Sequence, residues 1–207
     1  MIRLHCYYSL SSPWAYFGGP RLAAITQAYE VKLELRPFDF QAVVPHTGGI
    51  PLRTRPEARQ SYHALELARW SKRLKMPIHL VPRYYRKQAS PIDWNKRPGW
   101  TVIAAQQAGL DAQSLSHALL SALWVEERDT ADASVRAAIA DRLGMPGAEL
   151  VAAEQSEVVQ AAYREFSEQA RLLGVFGSPT YVIEGERFWG QDRLDFLEDR
   201  LRELSQR

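Results

Sequence analysis

The sequence is poor in cysteine: Cys6 is the one thiol among 207 residues. A lone thiol forms no intramolecular disulfide, no CxxC redox pair and no cysteine-based zinc cage. Long apolar runs are also missing, and nothing approaches the roughly 20 residues that a membrane-spanning helix needs. Charge of one sign is scarce. Lys plus Arg number 26 against 24 Asp plus Glu, a net charge of +2, so there is no bulk attraction to nucleic acid or anionic lipid. The opening MIRLHCYYSL has no basic stretch leading into an apolar one, as a secretory leader would. These absences lead us to expect a cytoplasmic protein in a reducing compartment, working on neither nucleic acid nor membrane. Motifs are missing as well. His5, His46, His63, His79 and His117 show no HExxH spacing, Ser12 sits in no GxSxG elbow, and no Walker loop or GxGxxG follows a predicted strand.

What is present is ordinary globular material, 46% hydrophobic and 24% charged, which excludes a wholly disordered or collagen-like chain. Ile2 to Tyr8 is short, β-branched and aromatic and predicts a strand. Ser11-Ser12-Pro13 then predicts a helix start, because a serine hydroxyl caps free N–H groups and proline at the first position sacrifices no hydrogen bond. That helix carries Trp14, Phe17, Leu22 and Ile25, with a kink or break expected at Gly18-Gly19-Pro20. Val31 to Phe40 alternates as a strand, so the start predicts a βαβ unit with a parallel pair. Near the other end, Thr180 to Ile183 and Arg187 to Trp189 predict two strands about a Glu184-Gly185 turn, followed by a helix from Gln191 to Leu204. Between them the pattern is helical: Glu57 to Lys75, with Tyr62, Leu65, Leu67, Ala68 and Trp70 near one face; Ser114 to Glu127; and Ala148 to Leu173. The charged tail from Arg200 is expected to fray. The division this implies is one domain from 1–50 and 173–207 and a helical insertion over 51–172.

Three places can carry chemistry. Ser12 and Gln191-Asp192 each open a helix directly after a strand, where unpaired N–H groups and the positive end of the helix dipole favour anions. Phe176-Gly177-Ser178-Pro179-Thr180 precedes a strand, and a Ser-Pro bond is cis at modest cost. From the residues alone, Ser12 as a plain cap and Pro179 as a plain loop proline stay open. Cys6, inside the first strand, reads as a small buried hydrophobe.

In this order the segments resemble the DsbA-like branch of the thioredoxin fold, an α/β domain (βαβ…ββα) with an all-helical insertion. Within that branch the chain resembles the 2-hydroxychromene-2-carboxylate isomerase family, related to kappa-class glutathione transferases. The resemblance rests on Tyr7-Tyr8-Ser9-Leu10-Ser11-Ser12-Pro13-Trp14-Ala15-Tyr16, on Gly174-Val175-Phe176-Gly177-Ser178-Pro179-Thr180, on Phe188-Trp189-Gly190-Gln191-Asp192-Arg193-Leu194, and more loosely on Tyr62 to Trp70. It implies glutathione as a cofactor. Ser12 and Ala15 stand where thioredoxin-like oxidoreductases have their two cysteines, which removes disulfide exchange and keeps a thiolate-binding helix terminus.

The resemblance further implies that Ser12 holds glutathione's sulfur as thiolate, that Ser178 ahead of Pro179 pairs its backbone with the cysteinyl part, and that Gln191 and Asp192 meet the γ-glutamyl end. Arg53, Arg55 and Arg59 are open candidates for the glycyl carboxylate. The implied substrate is a small aromatic acid whose electron-poor carbon the thiolate attacks reversibly. Trp14, Tyr84, Arg86 and Trp94 are candidates to bind it, within a stretch that also holds Arg83, Tyr85, Lys87, Lys96, Arg97 and Trp100. Three functions stay open: the isomerase, a kappa-like transferase that releases a conjugate, and a thioredoxin-fold binding protein without catalysis. Relatives make a homodimer the expected assembly.

Overall fold

The computed structural model describes residues 2–85 and 95–206. Strand β1 (Arg3–Tyr8) leads into helix α1 (Pro13–Ala28), and the chain returns as β2 (Lys32–Pro37). A short α2 (Phe40–Val43) and two 3-10 turns follow, and then helices α3 (Glu57–Leu74), α4 (Arg97–Gln107), α5 (Ala112–Trp124), α6 (Ala133–Arg142), α7 (Gly147–Ala153) and α8 (Glu157–Leu172). Hairpin β3 (Thr180–Ile183) and β4 (Glu186–Trp189) and helix α9 (Leu194–Ser205) complete it. The sheet order is β2-β1-β3-β4. β1 and β2 are parallel, Arg3 opposite Lys32 through Tyr8 opposite Pro37, and β3 is antiparallel to both β1 and β4. This is the mixed α/β DSBA-like thioredoxin fold, with α3–α8 inserted between its strands.

Sequence chemistry accounts for the elements. Ser12, Asp39, Asp111, Asp132 and Ser156 each cap a helix, their side chains accepting a backbone N–H in the first turn. The hairpin turns on Glu184 and Gly185, both with positive φ, the conformation a tight two-residue turn demands. The main core lies between the sheet, α1, α9 and the insertion, where Leu4, Phe17, Ile103, Leu115, Leu123, Trp124 and Ile139 are sealed from solvent. Each such side chain contributes about 2 kcal/mol by leaving water. A second cluster, with Tyr7, Val43, Val44, Ala170 and Val175, fills the other face of the sheet.

Four expectations need correction. α1 is unbroken through Pro20. The glycines before it serve close approach: a Cβ on Gly18 would stand 2.8 Å from the Tyr181 hydroxyl, and one on Gly19 2.7 Å from His117 Nδ1. Pro20 itself faces solvent. The stretch from Ala148 to Leu173 is two helices, α7 and α8, because Ser156 ends one and caps the next. On α3 only Leu67 is fully buried, and Tyr62, Leu65 and Ala68 face solvent. The charged tail does not fray through Ser205: Arg200 pairs with Glu184 at 3.1 Å and Glu186 at 3.3 Å, holding α9 to the hairpin.

Two polar contacts organise the insertion. The side-chain amide of Gln106 accepts the Leu35 N–H at 2.9 Å and donates to the Leu35 carbonyl at 3.2 Å, a substitute for a neighbouring strand on the β2 edge. Arg136 and Glu154, both buried, form a two-pronged pair at 2.7 and 2.6 Å. Arg136 also donates to the carbonyls of Thr130 and Ala131, and Thr101 donates to Glu154.

Candidate active site

The topology brings the three sequence segments together. β1 and β2 end at the same edge of the sheet, β3 begins there opposite Tyr7, and β4 ends there with Trp189 opposite Thr180. The start of α1, the loop before β3 and the start of α9 therefore share one end of the domain.

Ser12 sits at the centre. It caps α1, its Oγ accepting the Ala15 N–H at 3.2 Å. The same hydroxyl donates to the carbonyl of Ser178 at 3.0 Å. Ser178 precedes Pro179 through a cis bond, and its own Oγ accepts the Ser9 N–H at 2.9 Å. Ser9 and Ser11 link their hydroxyls at 2.9 Å, and the Ser12 N–H donates to the Ser9 carbonyl at 3.0 Å. Ser9, Ser12 and Ser178 are all buried. Among the described residues no carboxylate or imidazole hydrogen-bonds to any of these serines, so Ser12 has no base to make it a nucleophile. What it offers is a hydroxyl at the positive end of a helix, a place to stabilise an anion brought by a ligand.

The other wall is built from the start of α9. The Gly190 N–H donates to the Pro179 carbonyl at 2.9 Å, tying the two loops together. Gln191 is buried against Gly18. The helix expected from Gln191 opens as a 3-10 turn, Gln191–Arg193, continuous with α9. Asp192 is exposed and pairs with Arg193 at 2.8 Å.

The substrate candidates divide. Trp14, half-buried on the first turn of α1, meets the His63 ring of α3 edge-on at 5.3 Å and lies 6.1 Å from Phe17. Tyr84 is half-buried against the core with the Arg83 guanidinium 5.5 Å from its ring. Arg86, Lys87 and Trp94 lie outside the described residues. Lys96 pairs with Asp39 at 2.8 Å, and Trp100 is buried edge-on to Tyr163.

Of the three arginines, Arg53 and Arg59 are exposed and Arg55 is half-buried. Arg55 donates to the Ile50 carbonyl at 2.6 Å. Burial, with the neighbouring Arg59 cation, lowers its pKa, while Tyr85 lies near enough to oppose this. Its loop is fastened to the stretch leading into Ser178. Thr47 donates to the Val175 carbonyl at 2.6 Å, and any Cβ on Gly49 would strike the Phe176 carbonyl.

Two features escaped the sequence. His63 stands beside Trp14, and nothing in the spacing of α3 and α1 could pair them. Phe176 and Trp189, both partly exposed, meet edge-on at 4.8 Å over Gly177, whose missing side chain gives the indole room. Here the Phe-Gly-Ser-Pro and Phe-Trp-Gly motifs were a clue. Cys6 is buried, and burial pushes its thiol far above the usual range, so it supplies no nucleophile. Among the described residues no helix is long and apolar enough to cross a membrane.

Comparison with known proteins places the chain in a family and a fold. The family model for the DSBA-like thioredoxin domain matches residues 3–202. The chain is 26% identical over 197 residues to a 2-hydroxychromene-2-carboxylate isomerase of Sphingobium xenophagum, covering 94% of this chain and 95% of that one. It is 23% identical over 201 residues to glutathione S-transferase kappa 1 of Rattus norvegicus, covering 94% and 88% respectively. A solved 2-hydroxychromene-2-carboxylate isomerase shares the fold with a TM-score of 0.77 at 24% identity, over 98% of this chain and 96% of that one.

Proposed function

Because the chain belongs to the DSBA-like thioredoxin domain family, whose members similar to it are enzymes, we propose that it is a glutathione-dependent isomerase of 2-hydroxychromene-2-carboxylate-like aromatic acids. One observation carries the proposal: where a dithiol enzyme of this fold has its reactive cysteine, this chain has a buried hydroxyl at a helix N-terminus, bonded to the residue before a cis proline. With one buried cysteine the chain has no dithiol of its own, so the sulfur must be borrowed.

The residues then divide the work. Ser178 and Pro179 offer a backbone edge to the cysteinyl part of glutathione. Gln191 and Asp192 face its γ-glutamyl end, and Asp192 takes the ammonium in exchange for Arg193. Arg55 is the cation for a carboxylate, since its loop is fastened beside the Ser178 segment. Ser12 and the α1 terminus stabilise the sulfur anion and so lower the pKa of a thiol that is about 8.5 when free. The thiolate adds to the electron-poor carbon of the chromene, the ring opens, a double bond becomes a rotatable single bond, and the sulfur leaves. Trp14 and Tyr84 provide aromatic surface for the substrate ring.

Turnover of the chromene with glutathione tests this, on native protein and on Ser12→Ala. We expect a drop of about 100-fold or more in kcat for the variant, the scale of losing one anion-stabilising donor. Equal rates would remove Ser12 from the mechanism. A kappa-like transferase is the second reading, favoured by the similarity to the rat protein over most of both chains. Product analysis separates them: an isomerase leaves total glutathione unchanged, whereas a transferase depletes it. A binding protein without catalysis would turn over neither.

A further inference from the structure

Between α1, α5 and the sheet lies a cavity of about 840 Å³, within the roughly 300–1,000 Å³ typical of small-molecule sites. Its floor is Cys6 and Tyr8 of β1 with Leu33 and Leu35 of β2, and its inner end reaches Ala15 and Pro179. Ser12, Ser178 and Trp14 do not border it, so it is a second space beside the candidate active site. Its helical walls carry small side chains, among them Ala23 on α1 and Ala118 and Ser121 on α5, and these leave the volume unfilled.

The wall defines what fits. No lysine or arginine lines the cavity. Its carboxylates, Asp111 and Glu126, are exposed at the rim and engaged there. Asp111 accepts the Ser114 N–H at 3.0 Å and hydroxyl at 2.6 Å, and Glu126 pairs with Arg142 at 3.5 Å and Arg128 at 3.7 Å. Inside, burial pushes the Cys6 thiol and the Tyr8 phenol up, so both keep their protons, and lowers the pKa of His117, which is neutral at pH 7. An anion entering here would leave water and meet no counter-charge. Hydrogen-bonding capacity, in contrast, is left over. Tyr8 and Ser116 join their hydroxyls at 2.7 Å. That bond uses one of their two protons, and the other has no acceptor among the described residues. Gln113 and His117, one turn apart on α5, each keep a buried side-chain nitrogen without a partner. All four residues line the cavity. A bound oxygen relieves the cost of an unmatched buried donor.

We propose that this cavity binds an uncharged arene carrying one hydroxyl or carbonyl oxygen, its rings against Leu22, Leu33 and Leu35 and its oxygen taking the spare proton of the Tyr8–Ser116 pair. The site does not rest on the glutathione reading. An aromatic acid, the substrate class proposed for the Ser12 cleft, is excluded from it by charge.

Calorimetry at pH 7 with 2-naphthol, naphthalene and 2-naphthoate tests this. The three share one ring system; the first is uncharged with an oxygen, the second lacks the oxygen, and the third is an anion. We expect 2-naphthol to bind native protein with a Kd of about 100 µM or tighter, the range for a well-buried fragment of its size. Naphthalene should bind about tenfold more weakly, the scale of one hydrogen bond, and 2-naphthoate should not displace 2-naphthol. Ala23→Leu and Ala118→Leu fill the cavity from opposite walls. Each variant, once shown by circular dichroism to be folded, should bind 2-naphthol about tenfold more weakly or worse. Trp14→Ala, which alters the Ser12 cleft, should bind it as native protein does. The proposal is overturned if 2-naphthol does not bind, so that the space holds water alone, if naphthalene binds as tightly, or if 2-naphthoate displaces it. Undiminished binding by a folded cavity-filled variant also overturns it, as does loss of binding in Trp14→Ala, which would place the naphthol in the Ser12 cleft. Each of these outcomes leaves the glutathione reading to the turnover assay.

Discussion

Arg136 and Glu154 face each other with both prongs of the guanidinium on both carboxylate oxygens, 18 positions apart and buried. Removing one partner leaves the other charged and dry. Glu154→Ala is therefore expected to destabilise the protein by about 3–5 kcal/mol. Replacing both with apolar residues of similar volume should cost much less. Urea midpoints of the two variants check this, and equal losses would mean that the pair's net attraction, not the orphaned charge, matters.

Gly18 and Gly19 are load points between α1, β3 and α5. Gly19→Ala presses a methyl against His117 Nδ1, and Gly18→Ala presses one against the Tyr181 hydroxyl. Each is expected to cost about 1–3 kcal/mol despite alanine's higher helix propensity. Thermal unfolding reads the sign: a stabilised Gly19→Ala would show that the His117 ring gives way freely.

Stability should fall in mild acid. Burial lowers the pKa of His117, and burial together with Arg36 lowers that of His5, against an opposing pull from Glu34. Both imidazoles are lower in the fold than when unfolded. The stability they contribute is complete above the unfolded value of about 6.5 and is lost as pH drops through the folded values. Urea midpoints measured from pH 7.5 down to pH 5 should decline, and the decline should be shallower in the double variant His5→Gln with His117→Gln. An unchanged slope would assign the loss to carboxylates.

Ser178→Ala tests the site's scaffold separately from its chemistry. It leaves the carbonyl in place and removes the Oγ that accepts the Ser9 N–H. A buried donor without a partner costs about 1–3 kcal/mol. We expect lower stability and a raised KM for glutathione, with kcat falling far less than in Ser12→Ala. A kcat loss as large as that of Ser12→Ala would move the Ser178 hydroxyl into the reaction itself.

The ends of the chain were legible because their signals are local. Ser12-Pro13 announces a cap, Glu184-Gly185 announces a hairpin, and strand alternation is short-ranged. The candidate site did not follow from these alone: the family resemblance implied Ser12, Ser178 and Gln191 together, and the sheet order that brings them to one end of the domain is not written in any local signal. What stayed hidden depends on distant partners. Gly18, Gly19 and Pro20 read as a kink or a break, yet α1 runs on without a break, its glycines packed against Tyr181 and His117. The hydrophobic residues of α3 read as sharing one face, but Leu67 is buried while Tyr62, Leu65 and Ala68 point to solvent. No pattern links Arg136 to Glu154 or Trp14 to His63, because both pairings are set by how helices lie against one another.

The amide of Gln106 has a consequence for how this sheet can grow. By occupying the outward N–H and carbonyl of Leu35 it shuts one flank to strand exchange, and Pro37, further along the same flank, has no N–H to offer. Runaway stacking of one molecule on another needs two open flanks, and the opposite one, β4, carries the charged pair Glu186 and Arg187. A Gln106→Leu protein would therefore be prone to clump through β2 on mild heating, even where its melting temperature barely changes.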